Sequence, residues 1–263
     1  MEDPIFGDMA GEPPEPAIKS LNSAFAIVTA LAERGEAGVT ELAAAIGLAK
    51  SSVYKHLQTL AAHEFVVKGS DGYRLGLRFL DLGGAVRSRT TGASLVKPKL
   101  RELAERAGET AQYAVAEHGR TVVLYREVSA RGVFSKGRVG RRFAMNQTAA
   151  GKAILSGYPD ELVEAIVERH GLPASTPHSV ADADALFEEL DRIRELGVAF
   201  NDEGSTEGFR SVGVPVTGPE GDVLGAFAVA GPTHRMRGET FETELPDLTR
   251  SVVNELELNL AYS

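Results

Sequence analysis

Within residues 19–75, three short helical periodicities run into a hairpin, and a glycine turn separates the second helix from a third that contains no acidic residue. This succession constrains the fold more than any other feature of the chain. Leu21, Ala24, Phe25, Val28, Leu31 and Ala32 follow the spacing of one helical face, and Gly35 ends the segment. Thr40 is the expected N-cap of a short second helix that turns Leu42 and Ile46 inward and stops at Gly47. A third helix starts near Lys50 and gathers Val53, Leu57, Leu60 and Ala61 on one face. Phe65-Val66-Val67-Lys68, a Gly69-Ser70-Asp71-Gly72 turn and Tyr73-Arg74-Leu75 read as a two-stranded hairpin. Such an order is that of a winged helix-turn-helix, whose third helix enters the major groove of double-stranded DNA while its other face stays anchored in a core.

Ser51, Ser52, Lys55, Gln58 and Thr59 fall opposite the apolar face of that helix, with Tyr54 at its flank and Lys50 at its start. Short hydroxyls, an amide and a cation can reach base edges or phosphates. Lys68 and Arg74 bracket the wing turn and suit backbone contacts. A solvated face of an ordinary amphipathic helix would have a similar composition. The helix lengths, the Gly47-Leu48-Ala49 turn, the missing acids and the wing together select DNA contact. His56 lies near the buried face and reads as packed.

The formal net charge of −9 argues against nucleic acid until its distribution is considered. Residues 1–16 hold five acids and no base, and with Pro4, Pro13, Pro14 and Pro16 read as a disordered acidic tail. Residues 17–82 hold seven bases against six acids, so the DNA-facing segment is neutral to weakly basic. An acidic surface with few lysines suits a saline cytoplasm and ordinary solubility equally well. The start of the chain has no secretory pattern, and no apolar run approaches the ~18–20 residues needed to cross a bilayer. A cytoplasmic protein without membrane contact is expected. The absence of cysteine excludes disulfides, thiol nucleophiles and thiolate metal sites.

Beyond the wing, Phe79, Leu80, Leu82 and Val86 suggest a linker helix over Arg78 to Arg89, loosened at Gly83-Gly84. Helices follow at Lys97–Ala107, Thr148–Gly157, Asp160–His170, Asp182–Leu196 and Glu239–Leu260. Strands are expected at Ala111–Glu117, Thr121–Val128 and Val133–Lys136, with Ser211–Thr217 and Val223–Ala230 as a hairpin around Pro219-Glu220-Gly221-Asp222. The fold class is α+β. The domains are the tail at 1–16, a winged helix-turn-helix at 17–77, a linker helix at 78–92 and a ligand-sensing domain at 93–263.

Several segments carry a family resemblance. Thr40-Glu41-Leu42-Ala43, the run Gly47 to Leu57 and Tyr73-Arg74-Leu75-Gly76 are similar to the DNA-binding domain of IclR-type regulators. Asn146-Gln147-Thr148-Ala149-Ala150-Gly151-Lys152-Ala153, the run Gly197 to Glu203 and the run Gly225 to Pro232 resemble hallmarks of that family's second domain. The resemblance implies a transcriptional regulator, with a C-terminal GAF-like domain that binds a small-molecule effector. It places the effector at Gly132, Ser135, Ala149, Ala150, Asn201, Phe209, Ser211, Ala228 and Ala230. Physical reading supports this in part, because a helix starting near Ala149-Ala150-Gly151 offers free N–H groups and a positive dipole end to a carboxylate. The same small residues equally permit close helix–sheet packing. Ala228 and Ala230 stand where relatives that bind small organic acids often carry serine, which favours a larger or aromatic acid. Ser211 in place of the common cysteine and Asn201 in place of the frequent aspartate are further departures. Lys136, Arg138, Arg141 and Arg142 form a basic run suited to a solvated loop, a ligand clamp or another subunit's acidic surface.

Catalysis has little support. His118, His170, His178 and His234 lack ligand spacing, and neither a nucleophile elbow nor a phosphate-cradling glycine loop is present. No catalytic residue, metal or cofactor is expected. A DNA-binding scaffold with a vestigial pocket is the second reading. Because one recognition helix reads few base pairs, a homodimer or dimer of dimers (a homotetramer) is expected, with the first helix and Phe79, Leu82 and Val86 as contacts.

Overall fold

The computed structural model describes residues 18–90, 92–132 and 138–262. The acidic tail, the strand expected at Val133–Lys136 and the candidate Ser135 lie outside or largely outside these residues. The chain divides into two compact units, one ending at Thr90 and one beginning at Thr91.

The first unit runs α1 (Lys19–Arg34), β1 (Glu36–Ala37), α2 (Val39–Ile46), α3 (Lys50–Ala62), β2 (Val66–Lys68), β3 (Tyr73–Leu75) and α4 (Arg78–Ser88). Its core gathers Ile27, Leu31, Leu42, Val53, Leu57, Val66 and Tyr73. The buried face of α1 is therefore Ile27, Ala30 and Leu31, whereas Leu21, Phe25 and Ala32 are exposed. Both sets obey helical spacing, so periodicity alone could not choose between them. Helix α2 is capped at Gly38 rather than Thr40. The Gly38 N–H donates to Glu41 Oε2 at 2.8 Å, which leaves Thr40 inside the first turn.

The wing pairs Val66 with Leu75 and Lys68 with Tyr73, as the turn chemistry predicts. It gains a third strand, β1, in the order β1-β3-β2. Two residues are too short to carry a period. Gly72 admits β1, since a Cβ there would lie 2.5 Å from the Ala37 carbonyl carbon. On α4, Phe79 packs on Phe65 at 5.0 Å between ring centroids, while Leu82 and Val86 stay exposed.

The second unit contains α5 (Ala93–Ala107), β4 (Thr110–Glu117), β5 (Arg120–Val128), β6 (Arg142–Ala144), α6 (Ala149–Ser156), α7 (Asp160–His170), α8 (Ala183–Leu196), β7 (Ala199–Asp202), β8 (Phe209–Thr217), β9 (Val223–Pro232) and α9 (Leu245–Ala261). Among the described residues its strands form one antiparallel sheet in the order β6-β5-β4-β9-β8-β7. Strands β6 and β7 escaped the sequence reading, the first starting at the last residue of the basic run and the second hidden in a short apolar stretch. Helix α5 starts four residues before the position expected from Lys97 and carries Pro98 in its second turn. The expected closing helix opens instead with a π turn, Thr240–Glu244. Pro246 follows it near the start of α9 and cannot donate a backbone bond.

Alternation along the strands gives the sheet two unlike faces. Val212, Val214, Val216, Phe227 and Val229 pack into a large-residue core with Leu100 and Leu103 of α5 and Val252 and Leu256 of α9. The opposite face carries Gly213, Ala226 and Ala228 and meets α6. A Cβ at Gly213 would come within 2.6 Å of the Ala149 carbonyl, so α6 rests almost directly on the sheet backbone. Small residues on this face bring the helix close and leave space beside it.

Candidate functional sites

In the first unit, Lys50, Ser51, Tyr54, Lys55, Gln58 and Thr59 are exposed on α3, and Ser52 is half-buried. Val53 and Leu57 anchor the helix from behind. Two of the exposed side chains have internal bonds. The Gln58 amide donates to Tyr73 Oη at 3.3 Å, tying the helix to the wing, and the Thr59 hydroxyl donates to the Lys55 carbonyl at 3.1 Å. An amide has two donors and two acceptor lone pairs, so Gln58 keeps capacity for a base edge. Lys68 and Arg74 are exposed in register on the wing, with Arg74 opposite Val67.

In the second unit a cavity of about 410 Å³ opens between the small-residue sheet face and the start of α6. Ala149, Ala150, Asn201, Phe209, Ser211, Ala228 and Ala230 all line it. Sheet register is what brings them together. Asn201 pairs with Ser211 and Ser211 with Ala230, while Gly213 and Gln112 both pair with Ala228. Gly132 sits in the turn after β5, donating its N–H to the Ser129 carbonyl at 2.9 Å, and is not one of the described lining residues.

Thr148 caps α6, its hydroxyl accepting the Gly151 N–H at 2.9 Å. The sequence reading offered all three residues of Ala149-Ala150-Gly151 as donors. Capping by Thr148 leaves the N–H groups of Ala149 and Ala150, the first two helical positions, without an intrahelical partner. Gly151 has a packing role as well: a Cβ there would lie 2.3 Å from the Met145 carbonyl oxygen. Close helix–sheet packing, the second reading of the small-residue run, is what presents the helix start to the cavity.

Several further residues line the cavity, and apart from Arg141 of the basic run they had no sequence signal. Gln112, Thr121, Arg141, Phe143, Ser205, Thr206 and Arg210 complete the wall. The Thr121 hydroxyl is buried against Gly151 of α6 and has no hydrogen-bond partner among the described residues. Asn201 is buried, its amide donating to Ser205 Oγ at 3.3 Å. Arg210 is committed to Asp202 through bonds of 2.6 and 2.9 Å, and that pairing raises its pKa further. Of the basic run, Arg141 reaches the cavity, with its guanidinium 4.7 Å from the centroid of the Phe143 ring. Arg142 pairs with Glu117 at 2.9 Å, and Lys136 lies outside the described residues. Walls of alanine, valine and phenylalanine with a few convergent polar groups suit an organic acid with an apolar body.

Behind the cavity, hallmark residues just before and within α6 hold the element in place. Asn146 donates to the carbonyls of Pro173 and Val180 at 3.1 and 2.8 Å, and Gln147 to that of Pro173 at 3.0 Å. Lys152 is buried and donates to Glu189 Oε1 of α8 at 2.5 Å and to the Phe200 carbonyl of β7 at 2.7 Å. Burial pulls the Lys152 pKa down despite its carboxylate partner. Among the described residues, no helix is long and apolar enough to cross a membrane.

Comparison with known proteins matches both units. Residues 20–70 match the family described as "IclR helix-turn-helix domain", and residues 85–256 match "Bacterial transcriptional regulator IclR C-terminal". A Halobacterium salinarum protein named "Probable HTH-type transcriptional regulator ArcR" is 31% identical over 95% of this chain and 96% of its own length. The HTH-type transcriptional regulator KdgR of Escherichia coli is 27% identical over 94% of each chain. A solved IclR homologue from Microbacterium hydrocarbonoxydans, in complex with 4-hydroxybenzoate, superposes with a TM-score of 0.77. It is 22% identical, over 93% of this chain and 100% of that one, and shares the fold.

Proposed function

This chain belongs to the IclR family of transcriptional regulators, and from that premise we propose how a DNA-binding regulator of this sequence is controlled. An organic acid with an aromatic or similarly bulky body enters the cavity beside α6. Its carboxylate accepts from the Ala149 and Ala150 N–H groups, a placement favoured by the helix dipole. Asn201 and Ser211 supply neutral hydrogen bonds, and Phe209, Ala228 and Ala230 cover the body. The observation that carries this reading is a cavity of about 410 Å³ at the open start of α6, walled by alanines and Phe209 with the polar Asn201 and Ser211. In the Microbacterium protein the same fold holds 4-hydroxybenzoate.

The operator contacts are assigned to Lys50, Ser51, Ser52, Tyr54, Lys55, Gln58, Thr59, Lys68 and Arg74. The protein acts in the cytoplasm as a homodimer or dimer of dimers and catalyses no reaction; its relatives are named as transcriptional regulators. Leu82 and Val86 of α4 and the exposed Leu21 and Phe25 of α1 are the candidate contacts between copies. Because an effector shifts DNA affinity only through unequal binding to two conformations, the test follows operator affinity during titration with benzoates. Ala150→Leu should fill the cavity and remove the response while preserving DNA binding. A variant that responds as wild type does would move the effector site elsewhere.

A further inference from the structure

A second cavity, of about 400 Å³, adjoins the first and shares Arg141, Phe143 and Ser205 with it. Its remaining walls include Arg120, Arg142, Gln147 and Ser175. Resting on the effector assignment above, we propose that the effector is two-ended. One carboxylate sits at the start of α6, and a second anionic group is held by Arg120, Arg141 and Arg142 in the adjoining compartment.

Charge and register both lead there. Strands β5 and β6 pair Arg120 with Ala144 and Val122 with Arg142, so the two guanidinium side chains are diagonal neighbours on one sheet edge. Like charges so placed repel one another. Glu117 answers Arg142 at 2.9 Å and stands opposite Arg120 in the β4–β5 register, yet the half-buried Arg120 side chain makes no hydrogen bond or ion pair among the described residues. Positive charge in the region also bears on its neighbours. His170 is pushed below its usual pKa, mainly by burial and then by Arg120, Arg169 and Arg142, so this imidazole adds no charge near neutral pH. Arg120 and Arg142 both face the Glu117 carboxylate, two positive charges against one negative, and leave this sheet edge short of an anion. A planar guanidinium fork matches a carboxylate or a phosphate oxygen pair.

The two compartments are joined by an apolar wall. Phe143 faces both, and the guanidinium lying over its ring places Arg141 at the divide. A ligand with an anion at each end and a flat or aliphatic body between them satisfies all of these groups together. A one-ended acid leaves the arginine compartment to water and salt.

The test uses the full chain and three probes: benzoate, terephthalate and 4-phosphonobenzoate, with binding measured by calorimetry. The two-ended probes should bind about tenfold or more tighter than benzoate, as expected for an added charge-assisted contact. The terephthalate and phosphonate arms tell a second carboxylate from a phosphate-like group. Arg120→Gln should abolish the advantage without altering benzoate affinity, and Arg120→Lys should keep part of it. On wild type alone, raising the salt concentration should erode the advantage, which carries the test if the variants do not fold. Equal affinity for one-ended and two-ended probes, or an advantage indifferent to both Arg120→Gln and salt, overturns the proposal while leaving the inner site standing. If no probe binds, the effector assignment falls, and the two-ended reading falls with it.

Discussion

Lys152 holds α6 to α8 and β7 from inside the protein, and removing its partner should cost more than removing the lysine itself. The Lys152 side chain is 4% exposed and that of Glu189 19% exposed. Glu189→Leu strands a buried ammonium whose remaining partner is the Phe200 carbonyl. Its penalty is capped by the alternative of deprotonating the lysine at pH 7, roughly 3.5 pKa units or about 5 kcal/mol, so a loss of about 3–5 kcal/mol is expected. Lys152→Met removes the charge and keeps the volume. It leaves a partly hydrated carboxylate and one buried carbonyl without its donor, costing about 1–3 kcal/mol.

Linkage gives the two variants different pH signatures. A base whose folded pKa lies below its unfolded value destabilises the fold fully at pH below the folded value. That penalty fades as pH rises toward the unfolded value near 10.5. Glu189→Leu depresses the lysine further, so its deficit should shrink between neutral pH and pH 10, while that of Lys152→Met should not. Urea unfolding read by hydrogen exchange in α6 and α8 peptides isolates the second unit, since the two units need not unfold together. If Glu189→Leu costs no more than Lys152→Met, or its deficit is flat with pH, the lysine is not held charged by Glu189.

Two further outcomes are expected. Lys55→Ala and Gln58→Ala should each weaken operator binding by about 1–3 kcal/mol where the side chain makes a bidentate base contact, with the melting curve of the first unit unchanged for Lys55→Ala; an unaltered footprint in the double variant would remove α3 as the reading element. Leu82→Glu with Val86→Glu should weaken self-association by about a hundredfold or more, since each fully buried aliphatic side chain contributes about 1.5–3 kcal/mol; light scattering that reports the same mass for variant and wild type would exclude this face.

The winged helix-turn-helix was legible because its signals are local. Helix length, the Gly47 turn, the acid-free third helix and the four-residue wing turn each act within a few residues of chain. The sequence alone therefore set the order of helices and wing strands in the first unit, the exposed chemistry of α3 and the position of the hairpin turn. It also marked Ala149 and Ala150 as a helix start, because capping and small-residue packing are local as well. Which face of α1 is buried depended on the whole core, since two apolar stripes satisfied the same spacing. Strand β1 exists only because β3 passes beside it and Gly72 leaves room.

Tertiary structure alone assembled the second cavity and most of the first. Thr121, Arg141 and Phe143 joined Asn201, Ser211 and Ala230 only once strands distant in sequence were laid in register. Arg120 and Arg142 became neighbours because β6, too short to carry its own signal, pairs with β5. A period of two or 3.6 residues reports which way a side chain faces, and nothing in it reports which strand lies alongside. That choice belongs to hydrogen bonds between segments far apart in the chain, and in this protein it decides what the cavities can bind.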